Sequence, residues 1–475
     1  MTGRMLLAGV SLVVLAGAAR ANVEINNRPT SNMSCDGGVC TATAQKAVLN
    51  VGELQSMLAS SDVAVKTGRL AKDIAIDHPL TWSSTSRLTL DAQQSVTINK
   101  PVTVMGQGAL TIVTNDNGNP RNKSGEFIVV PERGSVQFWD KKSSLVIDGQ
   151  KYKLVYTIKS LAAAIAANPS GFYALAKPYD ASKDGTYAAS PISTEFAGTV
   201  DGLGNAISKL SIRTTGNSLY GLFFFVTTDG TIRHLGVLDA DMHATQALSL
   251  GLLAGGNLGT ISRCHTAGRA KGAVGNLGGL LGGNGGSVRY SYADVRLSGR
   301  ATFEGGLVGY NNRGSIASSY ALGPVALRDS DFSNVGGLVG DNEGTISNSF
   351  ARSGVKIGIA GDGSYFGGLV GRNETVSNIT ASYAAGEITP SSTSGGLVGY
   401  DNADAGRISA AYWDLDMGVS DASQGAANKK DDPGIEGLTT KQLQAELPHG
   451  FDSKNWGIKP KVNGGFPYLL AIPPK

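Results

Sequence analysis

The chain has 475 residues, with 41 Lys and Arg against 38 Asp and Glu. A formal net charge of +3 and only 17% charged residues argue against a nucleic-acid partner and against a polybasic membrane patch. Apolar residues make up 41% and fall in regular patterns, which excludes a disordered chain, and the 65 glycines point to many turns.

Met1 to Ala21 reads as a secretory signal. Arg4 is the basic start, Met5 to Ala19 the apolar core, and Ala19-Arg20-Ala21 a cleavage site before Asn22. About fifteen apolar residues fall short of the roughly 20 that a membrane span needs, so cleavage is expected over an anchor. The mature chain is then expected to be secreted or held at the cell surface or outer membrane, with the periplasm left open, and no later segment is long enough to span as a helix.

Residues 22–72 read as an N-terminal segment and cap. Cys35 and Cys40 flank the turn-former Asp36-Gly37-Gly38-Val39, and in an oxidising compartment they predict a short-loop disulfide; a metal would need more ligands. Asn50, with Glu53 three residues on and Leu54, Met57 and Leu58 as a stripe, predicts a short helix within 47–62 that covers the open end of the first coil.

Residues 73–155 alternate as strands: Asp73–Asp77, Arg87–Asp91, Ser95–Asn99, Pro101–Val104, Ala109–Val113, Phe127–Val130, Ser135–Trp139 and Ser144–Asp148. They predict a first β-helix section. Ile158 to Asn168 is a second helix, stopped by Pro169, and Phe172 to Ser190 reads as a connecting loop, so a boundary is placed at 156–195, with one continuous solenoid interrupted by this insertion and two separate domains both left open.

Residues 196–416 carry an internal repeat. A Gly-Leu step recurs at Gly221, Gly251, Gly279, Gly306, Gly337, Gly368 and Gly396, at spacings of 30, 28, 27, 31, 31 and 28. In the copy Gly336 to Ala351, Leu338-Val339 is a very short strand, Asp341-Asn342-Glu343-Gly344 a turn, and Thr345 to Phe350 an alternating strand with Ile346 and Phe350 both facing inward. Such units cannot bury a face alone and must stack. The fold class predicted is all-β: a parallel β-helix, or β-solenoid, with short capping helices. Seven coils would span on the order of 30 Å. Aligned copies place His265, Tyr292, Tyr320, Phe350, Tyr383 and Tyr412 at one position, a ring ladder expected to fill an inner corner, and Asn257, Asn284, Asn342 and Asn373 at another. The first copy, from Gly221, fits less well, as terminal repeats do.

The core Gly-Gly-Leu-Val-Gly at Gly305–Gly309, Gly336–Gly340, Gly367–Gly371 and Gly395–Gly399, with a partial copy at Gly278–Gly282, resembles the GLUG repeat of filamentous-haemagglutinin-like bacterial surface and outer-membrane proteins. The stretch from Leu80 to Ala92 also resembles haemagglutinin-like exoproteins. The resemblance implies a β-helical surface or secreted protein of the adhesin type, without implying a ligand.

Residues 417–475 read as a cap on the last coil. Gln424 to Asp432 is a loop, Thr439 with Gln442 a capping box for a helix to about Leu447, and Trp456, Phe466, Pro467 and Tyr468 follow.

Chemistry is sparse. The five histidines, His78, His234, His243, His265 and His449, have no metal-pair spacing. Cys264 stands where Ser319 and Ser349 stand in later copies and reads as a wall residue; its neighbour His265 reads as a ladder ring. Asp414 and Asp416 share one face of a strand and would suit acid–base work or Ca²⁺, but lie where the repeats stop, which favours a structural role. Gly361-Asp362-Gly363 resembles a calcium-repeat fragment but occurs once, and Gly278–Gly286 lacks the strand and helix context of a dinucleotide loop. No catalytic, cofactor or metal residue is assigned. The expectation is a non-enzymatic exported solenoid with a glycan or protein surface ligand, or self-association. The alternative, a β-helix carbohydrate-active enzyme, needs a cluster of carboxylates or of Arg and Lys on one face.

Overall fold

The computed structural model describes residues 22–117, 124–327, 332–358, 363–389 and 391–474; the expected signal segment and Gly361-Asp362 lie outside them. The chain is a parallel β-solenoid of about 14 turns. Among the described residues, no helix is long and apolar enough to cross a membrane.

Among the described residues the solenoid begins at Asn22, not at residue 73. The strand Asn22–Asn26 pairs in parallel with Ala47–Asn50 and with Asp73–Ile76, and Val63–Lys66 pairs with Arg87–Asp91. The added strands Asn22–Asn26, Ala47–Asn50 and Val63–Lys66 are separated by a hairpin and a helix instead of following one another, and Val23, Ile25, Leu49, Val63 and Val65 are all buried in the first core. Cys35 lies directly opposite Cys40 in the antiparallel hairpin Met33–Asp36/Val39–Ala42 and is bonded to it.

Helix α1, Val51–Leu58, is shorter than its predicted window because Ala47–Asn50 is a strand. The Asn50 side chain accepts from the backbone of Gly52 and Glu53, while Glu53 takes the Thr30 hydroxyl, which itself accepts the Asn50 N–H. The capping box is thus completed through Thr30. Val51, Leu54 and Leu58 face the first core and Gln55 donates to the Thr81 carbonyl at 2.9 Å, so α1 covers the end of the stack.

At Asp148-Gly149 the chain reverses: Ser144–Ile147 and Gln150–Val155 are antiparallel. After α2, Ile158–Ala167, capped by Thr157, the stretch expected as a connecting loop is a further coil. Phe172–Leu175 pairs in parallel with Gln150–Val155 and Thr199–Asp201; Tyr179–Asp180 and Thr186–Tyr187 pair with Ala206–Ser208 and Ser211–Thr214. Two of these strands are two residues long, so no alternation marks them. The same coil answers the question of a boundary. Tyr173 and Leu175 belong to the second core, Ala174 and Ala176 to the first, so two cores share one wall. Phe138 N–H donates to the Ala176 carbonyl at 2.7 Å, and the Asn205 amide donates to the carbonyls of Val136 and Leu175 at 2.9 Å, tying the sections together.

In the repeats, the strand Val339–Asn342 includes Asp341 and Asn342, and only Glu343-Gly344 turns. Thr345–Ser347 follows, then Asn348 in the left-handed region at φ 45°. Its counterparts Arg263, Tyr290, Ser318, Ala381 and Ala410 have φ between 46° and 53°. That one residue turns the corner and resets the alternation: Ile346 and Ala351 enter the core, and Phe350 points to the outside, opposite to the expectation. A non-glycine residue in this conformation costs about 1–3 kcal/mol. A buried serine row beside it offsets the cost: the hydroxyls of Ser291, Ser319, Ser349 and Ser382 each accept an N–H from the preceding coil at 3.1–3.2 Å and donate to a carbonyl two residues back at 2.8–2.9 Å. Cys264 begins this row, buried, with its sulfur 3.5 Å from the Ser262 and Ile232 carbonyls. The Gly-Leu step needs glycine because coils approach closely there: a Cβ on Gly306 would lie 2.1 Å from the Gly337 carbonyl.

Candidate functional site

The predicted ring ladder forms, but on the outside of the coil. Centroids of His265, Tyr292, Tyr320, Phe350 and Tyr383 follow at 5.2, 4.8, 4.7 and 5.1 Å with planes within 14°. Tyr412 continues the register. The ladder is covered by the C-terminal tail, which runs back along the stack instead of capping only the last coil. Trp456 packs on Phe350 and Tyr383 at 6.0 and 5.9 Å, and Phe451 on Tyr412 at 5.7 Å. The Tyr383 and Tyr412 hydroxyls donate to the carbonyls of Pro467 and His449 at 2.7 and 2.8 Å. Farther along, Tyr292 donates to Glu132 at 2.6 Å beside a 140 Å³ cavity that Ile472 also lines. The ladder is therefore the seam under a strap and presents little surface to a ligand.

The asparagine row is a continuous hydrogen-bonded chain. Asn257, Asn284, Asn311, Asn342 and Asn373 each donate Nδ2 to the next residue's Oδ1 at 2.7–2.9 Å, ending on Asp401. Asn311 is missing from the row predicted above, although Tyr310-Asn311 occupies the same register as Asp341-Asn342. Asp401, an acceptor only, receives Lys429 at 2.7 Å.

The Asp414–Asp416 pair serves helix α3, Thr440–Ala445. Asp414 accepts the Thr440 hydroxyl at 2.8 Å and Asp416 accepts its N–H at 2.9 Å. Among the described residues, no group of three or more His, Cys, Asp or Glu could hold a metal ion.

Two buried charge features escape a sequence reading. At the junction of the sections, Asp201 pairs with Arg233 at 2.8 Å and with His234 Nδ1 at 3.1 Å, while Glu126 reaches across from the first section to Arg263 at 2.9 Å and Arg289 at 3.5 Å. Burial works against the Asp201 carboxylate, but His234 and Arg233 hold it down to about 2. Burial lowers His234, whose Nε2 has no partner. A cavity of about 170 Å³ is lined by Glu126, Asp148, Arg233, His234, Arg263 and Arg289. The second feature is Glu304. It occupies the core row Leu277, Glu304, Val335, Phe366 with neither carboxyl oxygen partnered, and burial pushes it up to about 8.

One outer face remains open. Beyond the glycine turn, half-buried or buried side chains meet: Phe303 and Tyr310 of one coil at 5.1 Å, Asn334 and Asp341 of the next at 2.7 Å, and Tyr365 with Tyr400 of the following coil at 4.6 Å. Burial raises Asp341 to about 7, against the Asn334 hydrogen bond. In the earlier coils the register positions of Tyr310 are Gly283 and Gly256, with Phe225 next. The Phe225 ring lies against Gly256, where a Cβ would sit 2.8 Å from it. At Gly283 the space is unfilled: a Cβ would meet nothing nearer than the Asn276 amide at 3.9 Å. The result is a notch walled by Phe225 on one side and Phe303 and Tyr310 on the other; three coil steps, roughly 14 Å, separate Phe225 from Tyr310 along the axis, and the Phe225 ring lying against Gly256 narrows the gap. Gly275, beside Asn276, lines an open pocket of about 340 Å³ with Gln246, Arg300 and Thr302.

No family model matches the chain, and neither does any curated protein. Among solved structures, the chain is similar to a crystal structure from Bacteroides ovatus described as "a putative immunoglobulin A1 protease", at 18% identity and a TM-score of 0.47, over 68% of this chain and 93% of that one.

Proposed function

We propose that this chain is an exported, non-enzymatic β-solenoid of the haemagglutinin-like adhesin type, acting at the cell surface by binding through its side faces. The observation that carries the reading is the closure of both ends. Helix α1 covers the first coil, and the last is covered by Ala426, bridged to Val398, and by Ile435–Leu438, paired with the strand Ile408–Asp414. Covered ends oppose edge-to-edge polymerisation and leave the flanks as contact surface. The GLUG-like core and the signal-like start of the sequence point the same way. Fractionation of the source cells with protease treatment of intact cells tests it: digestion from outside or recovery in the medium is expected, and full protection inside the cell refutes a surface role.

A second reading, a β-helix carbohydrate-active enzyme, draws on the junction cavity, where Glu126 and Asp148 stand near the Asp201–His234 pair. Loss of polysaccharide cleavage in Glu126→Gln and His234→Gln, with retained folding, would favour it over the first.

A further inference from the structure

We infer that the notch over Gly283 is a subsite for a sugar unit of a neutral glycan chain. This deepens the binding role proposed above and rests on it. Three features converge. The walls are half-buried aromatic rings, Phe225 on one side and Phe303 with Tyr310 on the other. Ring faces carry negative quadrupole charge and attract the C–H faces of a pyranose while shedding water. The base supplies neutral hydrogen-bonding groups: the Asn276 amide lies 3.9 Å from the Cβ position of Gly283, and Gln246 and Thr302 line the adjoining pocket. An amide both donates and accepts, as a sugar hydroxyl does.

The third feature is charge. Among the described residues, Arg300 is the one charged residue lining the pocket. On the wall the Tyr310 hydroxyl donates at 2.6 Å to the carboxylate of Glu343. A single cation gives no multivalent hold on a polyanion, which favours an uncharged chain over an acidic polysaccharide. The opening exists because of glycine. At the equivalent position of the next coil a tyrosine occupies the space, and the coil after that fills it with the Asn334–Asp341 pair. Gly283 has no positive φ that would bar a side chain, and its Cβ position is clear.

The test uses the full chain in affinity gel electrophoresis, with soluble β-glucan, mannan and xylan as neutral probes and alginate as the acidic one. Retardation by at least one neutral glycan is expected, with binding at least about tenfold weaker in Tyr310→Ala, the scale of an aromatic anchor. Gly283→Tyr, which extends the ring column into the notch, should abolish retardation while leaving the melting temperature within a few degrees of wild type. Gly283→Ala should bind nearly as wild type. Equal retardation of Gly283→Tyr, or retardation by alginate alone, overturns the inference. If no glycan retards a chain that still adheres to intact cells, the subsite is refuted and the broader binding role survives. Failure of both refutes both.

Discussion

Replacing Glu304 should stabilise the protein, and by an amount that depends on pH. Its side chain sits among Leu277, Val335 and Phe366 in the core, with both carboxyl oxygens unpartnered. Burial raises it from 4.5 to about 8. In the unfolded chain the group loses its proton near pH 4.5, whereas in the folded chain it keeps it until about pH 8. The folded state therefore binds more protons across that window, and stability falls as pH rises through it. At pH 7 the gap is some 2.5 pH units, equivalent to about 3 kcal/mol. Below pH 4 both states are protonated and the effect vanishes. Glu304→Gln keeps the shape and removes the titration; Glu304→Leu also removes the unpartnered polar atoms and matches the neighbouring rows. Urea denaturation followed by circular dichroism at pH 5 and pH 8 measures the slope. Wild type is expected to lose about 3 kcal/mol more than Glu304→Gln over this interval. Asp341, raised in the same direction, leaves a smaller residual slope in both proteins. An identical pH dependence in wild type and Glu304→Gln would refute the placement of an uncharged carboxyl in the core.

Three other outcomes are expected. Asn311→Leu should lower stability by about 1–3 kcal/mol, because it removes two buried amide–amide hydrogen bonds worth about 0.5–1.5 kcal/mol each, while Asn284 Nδ2 keeps the Gly286 carbonyl and Asn342 Oδ1 the Gly344 N–H; thermal melting reads it. Trp456→Ala should cost about 3–5 kcal/mol and increase binding of a hydrophobic dye, since it lifts the strap from Phe350 and Tyr383. Cys264→Ser should change the melting temperature little, as serine fills the same register in the following coils, and in the wild type the thiol, pushed up to about 12 by burial, should resist alkylation at pH 8 until the protein unfolds.

The coil period, the ring ladder and most of the asparagine row were readable in sequence because each depends on one residue type recurring at one spacing. The direction in which the rings point was not. It turns on Asn348 and its counterparts adopting a left-handed conformation, and an asparagine, an alanine and an arginine at that corner share no side-chain signature. The coil at Phe172–Tyr187 was hidden for another reason: its strands are held by pairing to Gln150–Val155, Thr199–Asp201 and Ser211–Thr214, partners that a local pattern does not reveal. The notch at Gly283 is a further kind of case. The glycine itself is plain in the repeat alignment, but its meaning lies in the absence of what Tyr310 supplies one coil later.

The asparagine chain has a direction, and this bears on how long such a molecule can be. Every amide donates toward the C-terminal end, so the series needs a terminal group that only accepts, and Asp401 with Lys429 supplies it. Interior members are interchangeable, since each sees an identical neighbour before and behind. Whole coils inserted between Asn342 and Asn373 would lengthen the chain without disturbing either terminus. Reach is thus an adjustable dimension, set by the number of copies, while the end pieces and the notch stay as they are.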